Sequence, residues 1–400
     1  MKRQVILGIG IALLMVFGAF TNSFAENVIR FGSSLSLTGN LAGEGRSTKD
    51  GYEFYQKKIN ERGGLNVNGK KYKVSITYLD DESNLQSCTK LIEKLVTQEK
   101  IDFLLGPYGS GPGFAASVVS ERYKKIMILP MATTSAIYER GFKYLFGIAA
   151  PPSEYLRSII AVAAEQKPKP KTVAILWSNH RAHAAVVETL PGLCKEAGLK
   201  IIYNEKYPLS ATDWGAEFST IRNLNPDIFM FMAHLEATVT AIKQVKGANV
   251  NPNMLVCGVS VAQHEFPLSL GKDAENIVGM THWYRTVPFK DALFTNSLTY
   301  AKEFEKEFGY SPDYHSASAT AAAEIFGLAI EKAGSIDTEK ILHAFRNLDE
   351  ITFWGPVSFD KNGLIKGRAM MAGQIQNGKF VIIHPHDAAN AKFIYPKLKW

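Results

Sequence analysis

Cysteine and dense runs of one charge are scarce in this chain of 400 residues. Three cysteines are too few for a disulfide scaffold, so the fold must depend on a hydrophobic core. Lysine and arginine total 45 against 38 acids, and no stretch is basic enough to predict a nucleic-acid partner. Apolar residues make up 46% and charged residues 21%, which excludes disordered and fibrous classes.

The first 25 residues have the layout of a secretory signal peptide. A cationic start precedes an apolar run over 5–20, and the small residues Ser23 and Ala25 occupy the −3 and −1 positions of a cleavage site. We therefore expect cleavage of 1–25 and export of the mature chain, and an uncleaved membrane anchor is the alternative. No later segment is apolar and long enough to span a bilayer.

Export would place the cysteines in an oxidising compartment, where disulfides are permitted. Cys88, Cys194 and Cys257 lie far apart in the sequence, and their number is odd. We predict three buried free thiols, because unpaired cysteine behaves as a small apolar residue.

Short apolar runs alternate with amphipathic stretches along the rest of the chain. Strands are predicted at 28–32, 101–105, 126–129, 144–148, 173–177, 201–204, 228–232 and 254–257, and helices at 47–60, 85–98, 112–123, 153–165, 183–196, 214–222, 236–246, 294–308 and 315–333. Strands separated by such helices form parallel sheets through right-handed βαβ units. Because the series occurs twice, we predict an α/β fold of two doubly wound parallel-sheet lobes.

Two hydroxyl-rich loops follow predicted strands that are neighbours in this order. The loop 106–111 contains Ser110, predicted as the N-cap of the next helix, and the loop 130–135 contains Thr133. Ligands of open α/β sheets bind beyond the carboxyl ends of the strands, where helix starts offer free N–H groups. Two hydroxyls without a strong base favour a small carboxylate over a phosphate. The alternative is that both loops are ordinary helix caps.

Several strings resemble those of the periplasmic leucine/isoleucine/valine-binding proteins of ABC importers: IRFGSSLSLTGNLAGEG, DGYEFYQKKINERGG, YLDDESN, FLLGPYGSG, ILPMATTS and GPVSFDKNGLIKG. The resemblance implies the type I periplasmic-binding-protein fold, in which three crossovers join two lobes that close on a solute. It divides the chain into an N-terminal lobe, 26–149 plus 281–353, and a C-terminal lobe, 150–280 plus 354–400. It also implies a membrane permease as partner, and we expect a monomer without a cofactor.

The resemblance extends to the carboxylate contacts of the first lobe. In the branched-chain amino acid binders a serine and a threonine hold the ligand carboxylate, and a backbone carbonyl receives its ammonium. The matching positions here are Ser110, Thr133 and Met131. The resemblance therefore implies capture of an amino acid with a branched or otherwise hydrophobic side chain.

The expected contacts of the second lobe depart from the family pattern. One family tyrosine is replaced near Ala182 and His183, and a second is replaced near His234. The family acid that pairs with the ligand ammonium aligns with Ser260, and a buried ammonium without a partner is costly. Glu44, in the first glycine-rich loop, is the candidate substitute, and the alternative is a solvated loop residue.

Aromatic residues at predicted strand ends suggest one wall of the cleft. Tyr108 and Trp177 are the preferred candidates, Phe146 and Tyr314 are further ones, and core packing is the alternative for each. Because the ammonium-binding acid is missing, an aromatic or other hydrophobic carboxylate or amide without an α-ammonium stays open as the ligand.

Other functional classes have weaker support in the sequence. Ser260 lies in a Gly-Val-Ser-Val-Ala string that resembles a hydrolase nucleophile elbow, with His282 and His315 as candidate bases but no supporting motif. His180 and His183 have the i,i+3 spacing of metal ligands, but no third ligand accompanies them, so no metal site is predicted. A sensory ligand-binding module of the same fold is a further alternative.

Overall fold

The computed structural model describes residues 27–400, so the predicted signal peptide lies outside the described residues. Its strands are β1 (Val28–Leu35), β2 (Leu65–Val67), β3 (Lys70–Asp80), β4 (Phe103–Leu105), β5 (Met127–Leu129), β6 (Leu145–Gly147), β7 (Thr172–Ser178), β8 (Lys200–Tyr207), β9 (Ile228–Met232), β10 (Met254–Val256), β11 (Val278–Thr281), β12 (Lys290–Asp291), β13 (Thr295–Asn296), β14 (Glu350–Thr352), β15 (Gly355–Val357), β16 (Met371–Gln376) and β17 (Lys379–His384).

The α-helices lie between these strands. They are α1 (Ala42–Glu61), α2 (Leu85–Thr97), α3 (Ser110–Tyr123), α4 (Pro152–Tyr155), α5 (Arg157–Ala164), α6 (Arg181–Val187), α7 (Leu190–Ala197), α8 (Gly215–Leu224), α9 (Leu235–Gly247), α10 (Glu265–Leu270), α11 (Ser297–Phe308), α12 (Tyr314–Ala333) and α13 (Thr338–Arg346). Within 27–400, no helix combines the length and the apolar character that crossing a membrane requires.

The first lobe is built on a six-stranded sheet in the order β2-β3-β1-β4-β5-β6. All of its pairs are parallel except the β2–β3 hairpin. That hairpin turns at Asn68 and Gly69, whose φ angles of 50° and 83° are left-handed values that Asn and Gly tolerate. The strands β4 and β5 are wholly buried, as expected for the centre of a parallel sheet covered by helices.

The second lobe is built on a seven-stranded sheet in the order β17-β16-β11-β10-β9-β7-β8. Its parallel part runs from β11 to β8, and β16 then pairs with β11 in the antiparallel sense. The β16–β17 hairpin turns at Asn377 and Gly378, which also have positive φ angles. In the order of this sheet, β10, β9 and β7 are direct neighbours. The loops after these three parallel strands therefore meet at one edge of the sheet.

The chain passes between the two sheets three times. It leaves the first sheet after β6, returns after β11 to add α11, α12 and α13 to the first lobe, and re-enters the second sheet at β16. Helix α12 crosses α1 so closely that a Cβ on Gly51 would clash with the carbonyl oxygen of Ser316. The predicted fold class, two doubly wound parallel-sheet lobes joined by three crossovers, is confirmed.

Several element predictions need correction. The helix predicted over 183–196 is two helices, α6 and α7, and Pro191 stands in the first turn of the second, where its missing N–H costs nothing. Helix α13 was not predicted from the sequence, although Asp337 accepts a hydrogen bond from the N–H of Lys340 as its N-cap. The three cysteines are buried and unpaired, as predicted.

Candidate functional site

The first-lobe wall of the cleft is formed by the loops that follow β4 and β5. These strands are parallel neighbours, and their pairing continues as a bridge between Tyr108 and Met131 beyond the strand ends. The N–H of Gly109 donates to the carbonyl oxygen of Met131 over 2.8 Å, and the φ angle of Gly109 is +95°, which favours glycine. The two loops that the sequence singled out are therefore held against each other.

Ser110 joins these loops through its side chain. Its Oγ accepts hydrogen bonds from the backbone N–H of Thr133 over 3.1 Å and of Thr134 over 3.3 Å. The prediction that Ser110 is an N-cap is wrong, because Gly109 holds the N-cap position and Ser110 is the first residue of α3. The hydroxyl of Thr133 lies 3.5 Å from that of Ser110, and both side chains are buried.

Three histidines form the facing wall on the second lobe. His180 is the N-cap of α6, where its Nδ1 accepts from the N–H of Ala182 over 3.3 Å. His183 lies in the same helix, with its Nδ1 2.6 Å from the Oγ of Ser178, and His234 occupies the N-cap position of α9. Because β7 and β9 are parallel neighbours, these two helices start side by side.

The protein environment disfavours charge on all three rings. Burial, together with the neighbouring His234 and Arg181, lowers the pKa of His180 to about 4. Burial likewise lowers the pKa of His234 to about 4, with a smaller contribution from His315. Burial and the two other rings hold the pKa of His183 well below its usual range. At neutral pH the facing wall therefore presents uncharged imidazoles.

Ser260 belongs to the same wall, but its hydroxyl is hydrogen-bonded within the second lobe. Its Oγ donates to the carbonyl oxygen of Ala233 over 2.9 Å and receives a longer contact from Thr238 at 3.4 Å. Neither candidate base of the hydrolase alternative is among the partners of this hydroxyl within residues 27–400. A nucleophile needs a base within hydrogen-bond reach, so this geometry does not favour the hydrolase alternative.

A cavity of about 80 Å³ lies between the two walls. Its lining unites both lobes: Leu41, Tyr108, Gly109, Ser110, Gly111, Pro112, Met131, Thr133, Tyr155, His180, Ala182, His183, Val186, Met232, His234, Gly258, Val259, Ser260, Gln263 and Tyr314. The predicted site residues thus come together here, apart from Trp177, Phe146 and Glu44. Tyr155 and Gln263 are lining residues that the sequence analysis missed, because no motif marks either of them.

Trp177 does not line this cavity. It packs in the cluster of Val173 and Ile175, beside the edge strand β8. Its indole N–H donates to the Oδ1 of Asn204 over 2.9 Å. Phe146 also lies elsewhere, stacked on Phe345 at 4.3 Å between ring centroids in the core of the first lobe.

Glu44 lines a second cavity of about 310 Å³, which adjoins the first one through His234 and Gln263. Four acids line this second cavity together with Arg46, His234 and His315: Glu44, Glu236, Glu265 and Asp313. Burial alone would lower the pKa of His315, but Asp313, whose carboxylate lies 2.9 Å from its Nδ1, raises the pKa above its ordinary value. An ammonium could therefore find a carboxylate here.

One cation–π contact connects the lobes beside the cleft. The guanidinium of Arg181, on α6, lies 4.7 Å from the ring centroid of Phe114, on α3. Arg140 of the first lobe stacks on the same ring at 3.9 Å. At a crossover, the hydroxyl of Tyr155 lies 2.7 Å from the Nε2 of His282, which anchors a cavity residue to the connection between the lobes.

Known sequences share this architecture over almost their whole length. A sequence profile described as "Periplasmic binding protein" matches residues 28–379. The "Leu/Ile/Val-binding protein homolog 8" of Brucella suis is 24% identical over 407 residues, covering 98% of this chain and 99% of the relative. The "Leu/Ile/Val-binding protein homolog 7" of the same organism is 23% identical and covers 92% and 94%.

Solved structures with the same fold include proteins with different ligands. The branched-chain amino acid transporter substrate binding protein LivJ from Streptococcus pneumoniae, in complex with isoleucine, superposes with a TM-score of 0.78 at 20% identity, over 92% of this chain and 100% of that one. A solute binding protein of an ABC transporter from R. palustris, in complex with benzoate, gives a TM-score of 0.76 at 18% identity, over 93% and 98%.

Proposed function

The chain belongs to the periplasmic binding protein family, and from that premise we propose that it captures a hydrophobic amino acid for an ABC importer. The ligand would enter the cleft between the lobes and dock by its carboxylate on Ser110 and Thr133. The mechanism is binding followed by hinge closure, without chemistry on the ligand. The predicted signal peptide fits delivery to the periplasm, and a membrane permease would receive the closed form.

The hydrogen bonds of the Ser110 hydroxyl are the main support for this proposal. Its oxygen already accepts two backbone N–H bonds, from Thr133 and Thr134, so its own proton is left to donate. The Thr133 hydroxyl, 3.5 Å away, supplies a second donor to the same point of the cavity. Both stand at the start of the 14-residue helix α3, where the helix dipole favours a negative charge. Two such donors suit one carboxylate.

The ammonium of an amino acid would lie toward the second cavity. The Met131 carbonyl stands beside the carboxylate site and keeps one lone pair free after accepting from Gly109. Glu44 and the other acids of the adjoining cavity supply negative charge that the Ser260 position lacks. We therefore propose Glu44 as the residue that compensates for the missing family acid.

Closure would be driven by contacts that the ligand makes with both lobes at once. A ligand shifts an equilibrium between two conformations only through its differential affinity for them. The first-lobe hydroxyls hold one end of the ligand, and the histidine wall, Met232 and Val186 would cover its side chain. The contact of Arg181 with Phe114 would then form as the lobes meet.

A carboxylate without an ammonium is the competing ligand class. Three tyrosines, Tyr108, Tyr155 and Tyr314, line the first cavity, and no acid is among the described residues that line it. Tyrosine rings surround aromatic ligands favourably. Such a ligand would use the same two hydroxyls, so both classes share the carboxylate site and differ only in their use of the second cavity.

Thermal shift with matched ligand pairs tests the proposal. The chain, unfolded and refolded to remove bound ligand, is screened against L-leucine and 4-methylpentanoate, and against L-phenylalanine and 3-phenylpropanoate, which differ only in the ammonium. A ligand at 100 times its Kd stabilises the folded chain by about 2.7 kcal/mol. Stabilisation by the amino acids is expected. Stabilisation by the desamino acids alone would favour the competing class, and no response to any carboxylate would refute both.

A further inference from the structure

His180, His183 and His234 converge although only two of them are close in sequence. One ring nitrogen from each lies within 4.8 Å of the others. The ring centroids are 4.9 to 5.3 Å apart. The sequence prediction that His180 and His183 lack a third partner is therefore wrong, because the pairing of β7 with β9 brings His234 beside them.

We propose that these three histidines bind a divalent transition-metal ion of the zinc type on the second-lobe wall of the cleft. Imidazole is a preferred ligand of zinc, copper and nickel, and three protein ligands with one open position are characteristic of zinc sites that bind an exchangeable group. Zinc–nitrogen bonds of about 2.0–2.1 Å place tetrahedral ligand atoms roughly 3.4 Å apart. Each pair of nitrogens would therefore approach by at most about 1.4 Å.

The surroundings of His183 and His234 leave a ring nitrogen free to bind a metal ion, whereas His180 would have to give up a hydrogen bond. The Nδ1 of His183 lies 2.6 Å from the Ser178 hydroxyl, which can hold the proton on Nδ1 and leave Nε2 free to bind. Such a second partner is the usual support of a metal-bound histidine. The ring of His234 has no hydrogen-bond partner within 27–400, and the residue is partly exposed. For His180, binding through Nε2 would place the ring proton on Nδ1. This nitrogen could then no longer accept from the N–H of Ala182, and the 3.3 Å hydrogen bond would be lost.

The open coordination position faces the proposed carboxylate site. The cavity that the three histidines line is also lined by Ser110 and Thr133. A carboxylate held by these hydroxyls could place an oxygen on the metal, so that the metal joins the ligand to the second lobe. This coupling rests on the proposed function, whereas the metal site itself rests on the histidines alone.

A zinc titration of the chain without a polyhistidine tag tests the site. After removal of metal with a chelator, isothermal titration with Zn²⁺ alone should show one site, and Co²⁺ should give the visible absorption of a tetrahedral complex. His234→Gln is the principal variant, because no hydrogen bond of its ring is lost. Affinity should fall at least tenfold in His234→Gln and in His183→Gln.

A control variant separates this site from adventitious binding. His384 and His386 form another histidine pair, with ring centroids 5.4 Å apart, outside the cleft. The double variant His384→Gln/His386→Gln should keep the wild-type zinc affinity. Absence of zinc binding, or equal affinity in His234→Gln and the wild type, would overturn the proposal.

The coupling is measured by titrating L-leucine into the metal-free and the zinc-loaded chain. Tighter leucine binding with zinc, lost in His234→Gln, is the expected result. Equal leucine affinity with and without zinc would refute the coupling and leave the proposed function standing. Zinc binding without any response to leucine or to the other acids of the ligand screen would refute the proposed function and leave the metal site standing.

Discussion

The backbone N–H of Thr133 donates to the Oγ of Ser110 over 3.1 Å, which unites two loops into one site. The neighbouring N–H of Thr134 donates to the same oxygen over 3.3 Å. With both lone pairs of Ser110 occupied, its proton is left to donate to a ligand in the cavity or to the Thr133 hydroxyl 3.5 Å away. The local structure thus prepares a donor before any ligand arrives, which reduces the cost of ordering the site.

Thr133→Val should weaken carboxylate binding about 10- to 100-fold, because a hydrogen bond to a charged group contributes about 1.5–3 kcal/mol. Stability of the ligand-free chain should change little, since the contact between the lost hydroxyl and the Ser110 Oγ is long, at 3.5 Å. Isothermal titration and thermal melts measure the two effects. Thr134→Val is the matched control: the Oγ1 of Thr134 is buried and has no hydrogen-bond partner among residues 27–400, so binding should stay unchanged and the melting temperature should hold or rise.

Ser110→Ala should impair both binding and folding. Besides the donor to the ligand, the substitution removes the acceptor of two buried backbone N–H groups, and each buried donor left unpaired costs about 1–3 kcal/mol. Urea unfolding of the ligand-free chain should therefore show a loss that Thr133→Val does not show. Equal stability of Ser110→Ala and the wild type would mean that these two hydrogen bonds are not formed in solution.

Glu44→Gln should discriminate between ligands that differ only in the ammonium. If Glu44 compensates for the acid that Ser260 replaces, the variant should bind L-leucine at least fivefold more weakly and bind 4-methylpentanoate as the wild type does. Glu236→Gln, an exposed residue of the same second cavity, provides the comparison. A parallel loss for both ligands in Glu44→Gln would contradict a specific ammonium contact.

Arg181→Ala should shift the lobes toward the open form. An exposed cation–π contact contributes about 0.5–1 kcal/mol, which corresponds to a roughly two- to fivefold weaker ligand affinity. Small-angle scattering of the ligand-free and ligand-bound chain reports the opening. Arg157→Ala removes an exposed arginine of α5, and neither measurement should respond to it. If both variants behave alike, the contact with Phe114 has no role in closure.

The pair formed by His315 and Asp313 should give a pH-dependent contribution to stability. The pKa of His315 in the folded chain is above 6.5. The stabilisation from its pairing with Asp313 is therefore fully present below pH 6.5 and is lost as the pH rises through the pKa of the folded state. Asp313, whose pKa is lowered from 3.8 mainly by His315 and backbone N–H groups against the effect of burial, stays charged in this window. The melting-temperature difference between wild type and His315→Gln should shrink from pH 6 to pH 9. In an Asp313→Asn background, this pH trend should disappear.

The sequence predicted the loops of the site better than its second wall. Ser110, Met131 and Thr133 follow adjacent parallel strands, so chain order alone brought them together. Trp177, at the end of a strand, was predicted as a cleft residue, but its indole bonds to Asn204 of the neighbouring strand, a contact that an apolar run does not reveal.

Long-range contacts account for the rest of what the sequence could not predict. His234 joins His180 and His183 only through the pairing of two strands, and Tyr155 reaches the cavity from a crossover. No local pattern marks such a residue, because its role depends on the packing of two lobes.

The central claim is that the hydroxyls of Ser110 and Thr133 hold a carboxylate. Isothermal titration of the wild-type chain with the tightest-binding acid of the ligand screen, and with the carboxamide of that acid, tests it most directly. The amide keeps the shape and loses the charge, so we predict that it binds at least tenfold more weakly. Equal affinity for the acid and its carboxamide would contradict the account.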